Sequence, residues 1–100
     1  MITEVKTTVS TKEQATILGK QLLDSNLVVC VHTSAITSQY NWKGKYYEED
    51  EYLISAKTTQ VKKSQVIKQI QSNHPYDIPL ITTRDMQLNE SYKEWMDELL

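Results

Sequence analysis

Hydrophobic and polar positions along the chain predict seven elements. From Ile2 to Val9 most residues are β-branched, with Val5, Thr7 and Val9 on one side, which suits a pleated surface better than a helix. Ser10 then precedes Glu13 by three residues. At that spacing the hydroxyl accepts from an early helical N–H while Glu13 reaches back to the Ser10 amide. Behind this capping box Ala15, Leu18, Gly19 and Leu22 form one apolar stripe, and the helix closes near Asp24-Ser25-Asn26. Leu27 to Val31 is apolar at every position, which predicts a strand covered on both faces.

An extended segment from Thr33 to Tyr40 and a turn over Asn41 to Lys45, with Gly44 inside it, predict a long hairpin. Its return strand, Tyr46 to Thr59, sends Tyr52, Ile54 and Ala56 to one side and Glu51, Leu53, Ser55 and Lys57 to the other. Val61, Val66, Ile67 and Ile70 mark a second helix that ends by Asn73. His74-Pro75-Tyr76-Asp77-Ile78-Pro79 is a stiff two-proline entry into a last strand at Leu80 to Thr83. Tyr92, Trp95, Met96 and Leu99 then fall at helical steps, predicting a terminal helix over Asn89 to Leu100.

This order is the ferredoxin-like α+β arrangement (βαββαβ) with a long central hairpin and an added C-terminal helix, in which two helices cover one face of an antiparallel sheet. The apolar Leu27 to Val31 run argues that the other face is buried as well. A chain of 100 residues has room for one domain, residues 1–100, so a closed homo-oligomer is expected to supply the cover.

Charge and composition narrow the partners. Eleven Lys and Arg stand against thirteen Asp and Glu, a net charge of −2, which disfavours nucleic-acid binding. The longest apolar run is far short of the ~20 residues that cross a bilayer, and the N-terminus has no basic-then-apolar signal pattern, so a cytoplasmic protein with no membrane insertion is expected. Cys30 is the single cysteine, which excludes an intrachain disulfide and a Cys-pair zinc site. GxSxG, GxxxxGK[ST] and HExxH motifs are absent, and no catalytic residues are expected.

The chemistry-bearing residues have two readings each. His74 in its stiff loop could ligate a metal or shuttle a proton, but a His before Pro more often hydrogen-bonds a strand end. Cys30, inside an apolar strand, serves as a thiolate ligand only if a charged group reaches it, and otherwise packs as a small hydrophobe. Glu48-Glu49-Asp50-Glu51 could hold a hard divalent cation or simply flank the hairpin in solvent. Tyr40, Trp42, Tyr46 and Tyr47 gather at the turn, where interface anchoring is the favoured role over ligand stacking.

Cys30-Val31, then Ser38-x-Tyr40-x-Trp42-x-Gly44-Lys45, Lys57-Thr58, His74-Pro75-Tyr76-Asp77-x-Pro79 and Tyr92-x-x-Trp95, resemble the CutA divalent-cation tolerance proteins over nearly the whole chain. The resemblance implies a tight trimer whose hairpins extend sheets across subunits, and a non-enzymatic role linked to copper and other divalent metals. In some bacterial members copper is assigned to positions that match Thr7, Asn73 and His74, and Thr and Asn are poor Cu(II) ligands beside thiolate and imidazole. A copper site of that form is therefore expected to be weak here, with His74 the remaining ligand. His32 and Leu80 also depart from the family's usual residues. An intersubunit pocket of Tyr40, Trp42, Glu51, Lys57 and His74 ranks above the copper triad. The alternatives are a PII-like small-ligand signalling trimer, for which no phosphate cradle is visible, and a structural or anchoring scaffold.

Overall fold

A computed structural model describes residues 1–100 in the order β1 (Ile2–Val9), α1 (Lys12–Asp24), β2 (Cys30–Trp42), β3 (Lys45–Thr59), α2 (Lys63–Asn73), β4 (Ile81–Met86) and α3 (Glu90–Leu99). The strands form one antiparallel sheet in the order β2-β3-β1-β4. This is the ferredoxin-like topology, with the long hairpin and the extra helix.

Strand alternation puts Val5 and Val9 of β1 and Ile54 and Ala56 of β3 on one face, all fully buried. Against them pack Ala15, Leu18 and Leu22 of α1, Val66 and Ile70 of α2, and Val28. Gly19 lets α1 approach the sheet: a Cβ there would lie 3.2 Å from Cγ1 of Val31. The hairpin turns at Lys43 and Gly44, whose φ angles of 51° and 76° match the two positive-φ positions of a tight hairpin turn.

Several boundaries differ from the expected ones, each for a local reason. The capping box sits one residue later, with Thr11 as N-cap and Gln14 as its partner, because the Ser10 hydroxyl instead bonds the Tyr76 hydroxyl at 2.8 Å. Leu27, Val28 and Val29 precede β2. Val28 enters the main core, while Val29 joins Ile2 and Met96 on the opposite face. Val61 does not belong to the α2 stripe: it lies before the helix and is 89% exposed. The last strand begins at Ile81 and runs to Met86, since pairing with β1 starts at Thr7↔Ile81.

The second face also has a cover that the pattern alone did not suggest. The α3 helix folds back over the end of the sheet formed by Ile2, Val29 and Met86, burying Met96 to 1% exposure. One end of that face is therefore closed by the chain itself. Replacing Leu22 by Ala should lower unfolding free energy by about 2–5 kcal/mol in urea titrations, whereas Val61→Ala should stay within about 0.5 kcal/mol.

Candidate functional site

β1 reaches along β3 only as far as Val9↔Tyr52, so Lys45–Glu51 of β3 pairs with β2 alone. Beside this free half of the hairpin, on the face that carries Glu51 and Leu53, lies a cavity of about 800 Å³. Its walls come from the hairpin (Tyr40, Trp42, Glu49, Glu51) and from the loop after α2 (Tyr76, Asp77, Ile78, Leu80). Pro75 holds His74 in an extended conformation (φ −73°, ψ 137°), and the chain then bends over residues 75–78 beside the end of β1.

One hydrogen bond ties the two walls together, and a second lies within the hairpin wall. The Tyr76 hydroxyl donates to Glu51 Oε2 at 2.5 Å, and burial followed by this bond raises the phenol pKa. Tyr40 donates to Glu49, which is the main reason its pKa is pushed up to about 12. The Tyr40 ring stacks on Tyr47 with centroids 5.3 Å apart. All the formal charges in the cavity wall are carboxylates: Glu49, Glu51 and Asp77.

His74 stands at the base of the loop, and both its ring nitrogens are committed. The Tyr76 backbone N–H can only donate, so Nδ1, 3.0 Å away, accepts, which places the ring proton on Nε2. Nε2–H then faces the Thr8 carbonyl at 2.9 Å and the Thr7 hydroxyl at 3.0 Å. Burial pulls the imidazole pKa below 6.5, against smaller opposing effects of the Thr8 carbonyl and Glu51. Thr7 and His74 therefore do meet, but as a hydrogen-bonded lock. Asn73 is exposed and its side-chain amide donates to the Gln69 carbonyl. These three positions do not fit a copper ion: no sulfur is present, and neither imidazole nitrogen has a free lone pair. Nowhere do three His, Cys, Asp or Glu side chains converge in a metal-holding group.

Lys57 lies apart from Tyr40, Trp42 and Glu51. Its ammonium is 3.1 Å from Glu4 Oε2 and 2.5 Å from Ser55 Oγ, in the middle of the second face. Within one subunit, the expected pocket residues thus divide into the Tyr40, Trp42 and Glu51 wall, the His74 lock behind it, and a separate Lys57 pair. Glu4 was not marked by the sequence pattern, because a lone carboxylate in a strand looks like a solvent-facing residue. It is 7% exposed, with Lys6, Lys57 and Arg84 all within 3.5 Å. Burial works to raise its pKa, but the Ser55 and Lys57 hydrogen bonds and the nearby cations prevail, and the pKa is lowered. Tyr76 and Asp77 were visible in the two-proline motif only as loop residues.

Comparison with known proteins places this geometry among relatives. Residues 3–99 match the family model of the CutA1 divalent ion tolerance protein. The divalent-cation tolerance protein CutA of Thermococcus kodakarensis is 35% identical over 97 residues, covering 96% of this chain and 93% of its own. The structure of the periplasmic divalent cation tolerance protein CutA from Archaeoglobus fulgidus superposes with a TM-score of 0.94 at 27% identity, covering 99% of this chain and 98% of its own. The CutA1 crystal structure from Ehrlichia chaffeensis gives 0.94 at 33% identity, with coverage of 98% and 94%. No helix here is long and apolar enough to cross a membrane.

Two measurements check the site. Nitrogen-15 NMR should find His74 as the Nε2–H tautomer, titrating below 6.5. Between its lowered pKa and 6.5 only the unfolded chain takes up a proton, so the His74 contribution is complete above pH 6.5 and declines as pH falls through that window. His74→Gln should flatten that part of the stability profile. Glu4→Gln, which leaves Lys57 without its counter-charge, should cost about 1–3 kcal/mol near pH 7. Because the Glu4 pKa is lowered, this difference should persist above 4.5 and shrink as pH falls through the folded value.

Proposed function

Since this chain belongs to the CutA divalent-ion tolerance family, we propose that it works without catalysis, as a homotrimer in the metal-ion response, taking a cationic ligand into the cavity beside its hairpin. The observation that carries this reading is the unsupported outer half of the hairpin. A two-stranded ribbon alone is marginal in water, yet this one presents Tyr40, Trp42 and Tyr46 at 42%, 48% and 55% exposure. Tyr40 and Trp42 lie on one face of the ribbon and Tyr46 on the other, and exposed aromatics on both faces of an unsupported ribbon are characteristic of an interface, which a closed ring of identical subunits covers on each copy. A trimer is the assembly that the family resemblance implies.

The cavity's carboxylates favour a cation, and hard divalent ions take oxygen ligands of this kind. The same charges repel a polyphosphate, which argues against the nucleotide-signalling alternative. Copper at Thr7, Asn73 and His74 is not part of the proposal, because the His74 lock leaves no donor there. A cytoplasmic location is part of the same proposal.

Native mass spectrometry of the metal-free protein should give three chains per particle, and a monomer at micromolar concentration would overturn the assembly. Adding Zn(II) to that trimer should show uptake that Glu51→Gln weakens roughly tenfold, about 1.4 kcal/mol. Unchanged uptake in the variant would remove the cavity from the metal response.

A further inference from the structure

The cavity beside the hairpin has room for more than a metal ion and its ligands. At about 800 Å³ it is of the size that holds a whole organic molecule. Its three carboxylates are also spread out. Glu49 and Glu51 stand two residues apart on one strand, about 7 Å along its length, and Asp77 belongs to the opposite wall. They do not converge as ligands of a single ion. No Lys or Arg lines the cavity, so the negative charge there has no cation from the lining to offset it.

Apolar groups share the lining with these charges. Trp42, Ile36 and Leu53 come from the ribbon, and Ile78 and Leu80 from the loop. The rings on this face of the ribbon already attract amines from their own chain: the Lys43 ammonium lies 5.8 Å from the Trp42 ring centroid, and the Lys45 ammonium 5.3 Å from that of Tyr47, on which Tyr40 stacks. Both lysines belong to the turn and stand outside the cavity lining. The phenols of Tyr40 and Tyr76 each donate to one oxygen of Glu49 and Glu51, which leaves the other oxygen of each carboxylate open to a donor from a ligand.

We propose that this cavity binds a linear aliphatic polyamine, with ammonium groups on Glu49, Glu51 and Asp77 and methylene segments against Trp42 and Leu80. The proposal rests on the reading that the cavity takes a cation, and it names the chemical class of that cation. A polyamine alternates positive charge with hydrocarbon, as the lining alternates carboxylates with apolar side chains. A bare metal ion leaves the apolar wall unused, and a monoamine engages one carboxylate of the three. Aliphatic amines and carboxylates are both ionised at neutral pH, so binding requires no proton transfer. All the walls come from one chain, and a neighbouring subunit over the ribbon closes the open side without supplying the recognition groups.

The test titrates the full, metal-free chain in its native assembly with spermidine at fixed ionic strength, read by calorimetry. Saturable binding is expected that Mg(II) at the same ionic strength does not displace. Glu51→Gln keeps an oxygen for the Tyr76 hydroxyl and removes the charge, and should weaken spermidine by about tenfold. Asp77→Asn, on an exposed loop side chain, should act in the same direction. Trp42→Leu keeps an apolar contact without the ring, and should weaken spermidine by about threefold while leaving Zn(II) uptake unchanged. Absence of spermidine binding, displacement by Mg(II), or equal affinity in Glu51→Gln and Trp42→Leu would each overturn the proposal. Tighter binding of a tetralysine peptide than of spermidine would overturn it in favour of a protein partner. Zn(II) uptake without spermidine binding would overturn the polyamine and leave the divalent-ion reading standing, whereas spermidine binding without Zn(II) uptake would support the polyamine and remove the metal ion.

Discussion

The length of β3 governs the molecule. It has fifteen residues, while its inner neighbour β1 has eight, so only half of it lies within a supported sheet. That half carries Ile54 and Ala56 into the core beneath α1 and α2. The other half continues with β2 as a ribbon, and the molecule stretches to 47 Å against 24 and 21 Å in the other directions. Where β1 stops, the two-proline loop crosses, and the space between loop and ribbon is the acidic, aromatic-walled cavity. The cavity is therefore a product of mismatched strand lengths, and its two walls are joined by the Tyr76 to Glu51 bond.

The face opposite the main helices is divided by charge. Glu4 with Lys6, Lys57 and Arg84 forms a polar belt between the α3-covered apolar end and the open hairpin end. Burying a carboxylate is unfavourable unless its oxygens are bonded, and here Ser55 and Lys57 meet that need. No buried side-chain nitrogen or oxygen is left without a partner. Such a belt adds little net stability compared with apolar packing, but it penalises any slip of β1 against β3 by one residue, since that would part Glu4 from both partners.

Most of the fold was legible because its signals are periodic. The split of Tyr52, Ile54 and Ala56 from Glu51, Leu53, Ser55 and Lys57 follows from strand alternation, and the α1 stripe from helical spacing. Elements defined by a competing partner were harder to read. Ser10 looks like a cap in sequence, but Tyr76, 66 residues away, takes its hydroxyl. Val61 fits the helical period and still lies outside the helix, since Lys62 is the residue at the N-cap. Of the site, the aromatic hairpin residues were visible as a cluster, whereas Glu4 and the commitment of both His74 nitrogens depend on contacts between distant strands and loops. No local pattern encodes those contacts. The reach of α3 over the second face was likewise hidden, because an amphipathic terminal helix gives no sign of which surface it will meet.

The outer edge of β2 has a further consequence. Cys30–Trp42 contains no Asp, Glu, Lys, Arg or Pro along thirteen residues, and its outward N–H and C=O groups have no neighbouring strand. Natural edge strands usually carry a charge or a proline that discourages a stray chain from adding to the sheet. This one is unguarded, so in the proposed trimer protection from aggregation would come from how soon a neighbouring subunit covers the edge after the chain folds. If the proposed trimer is what covers it, dilution or a slow assembly step would lengthen the time each newly folded chain spends as an open template, making colloidal stability a matter of kinetics as much as of surface charge.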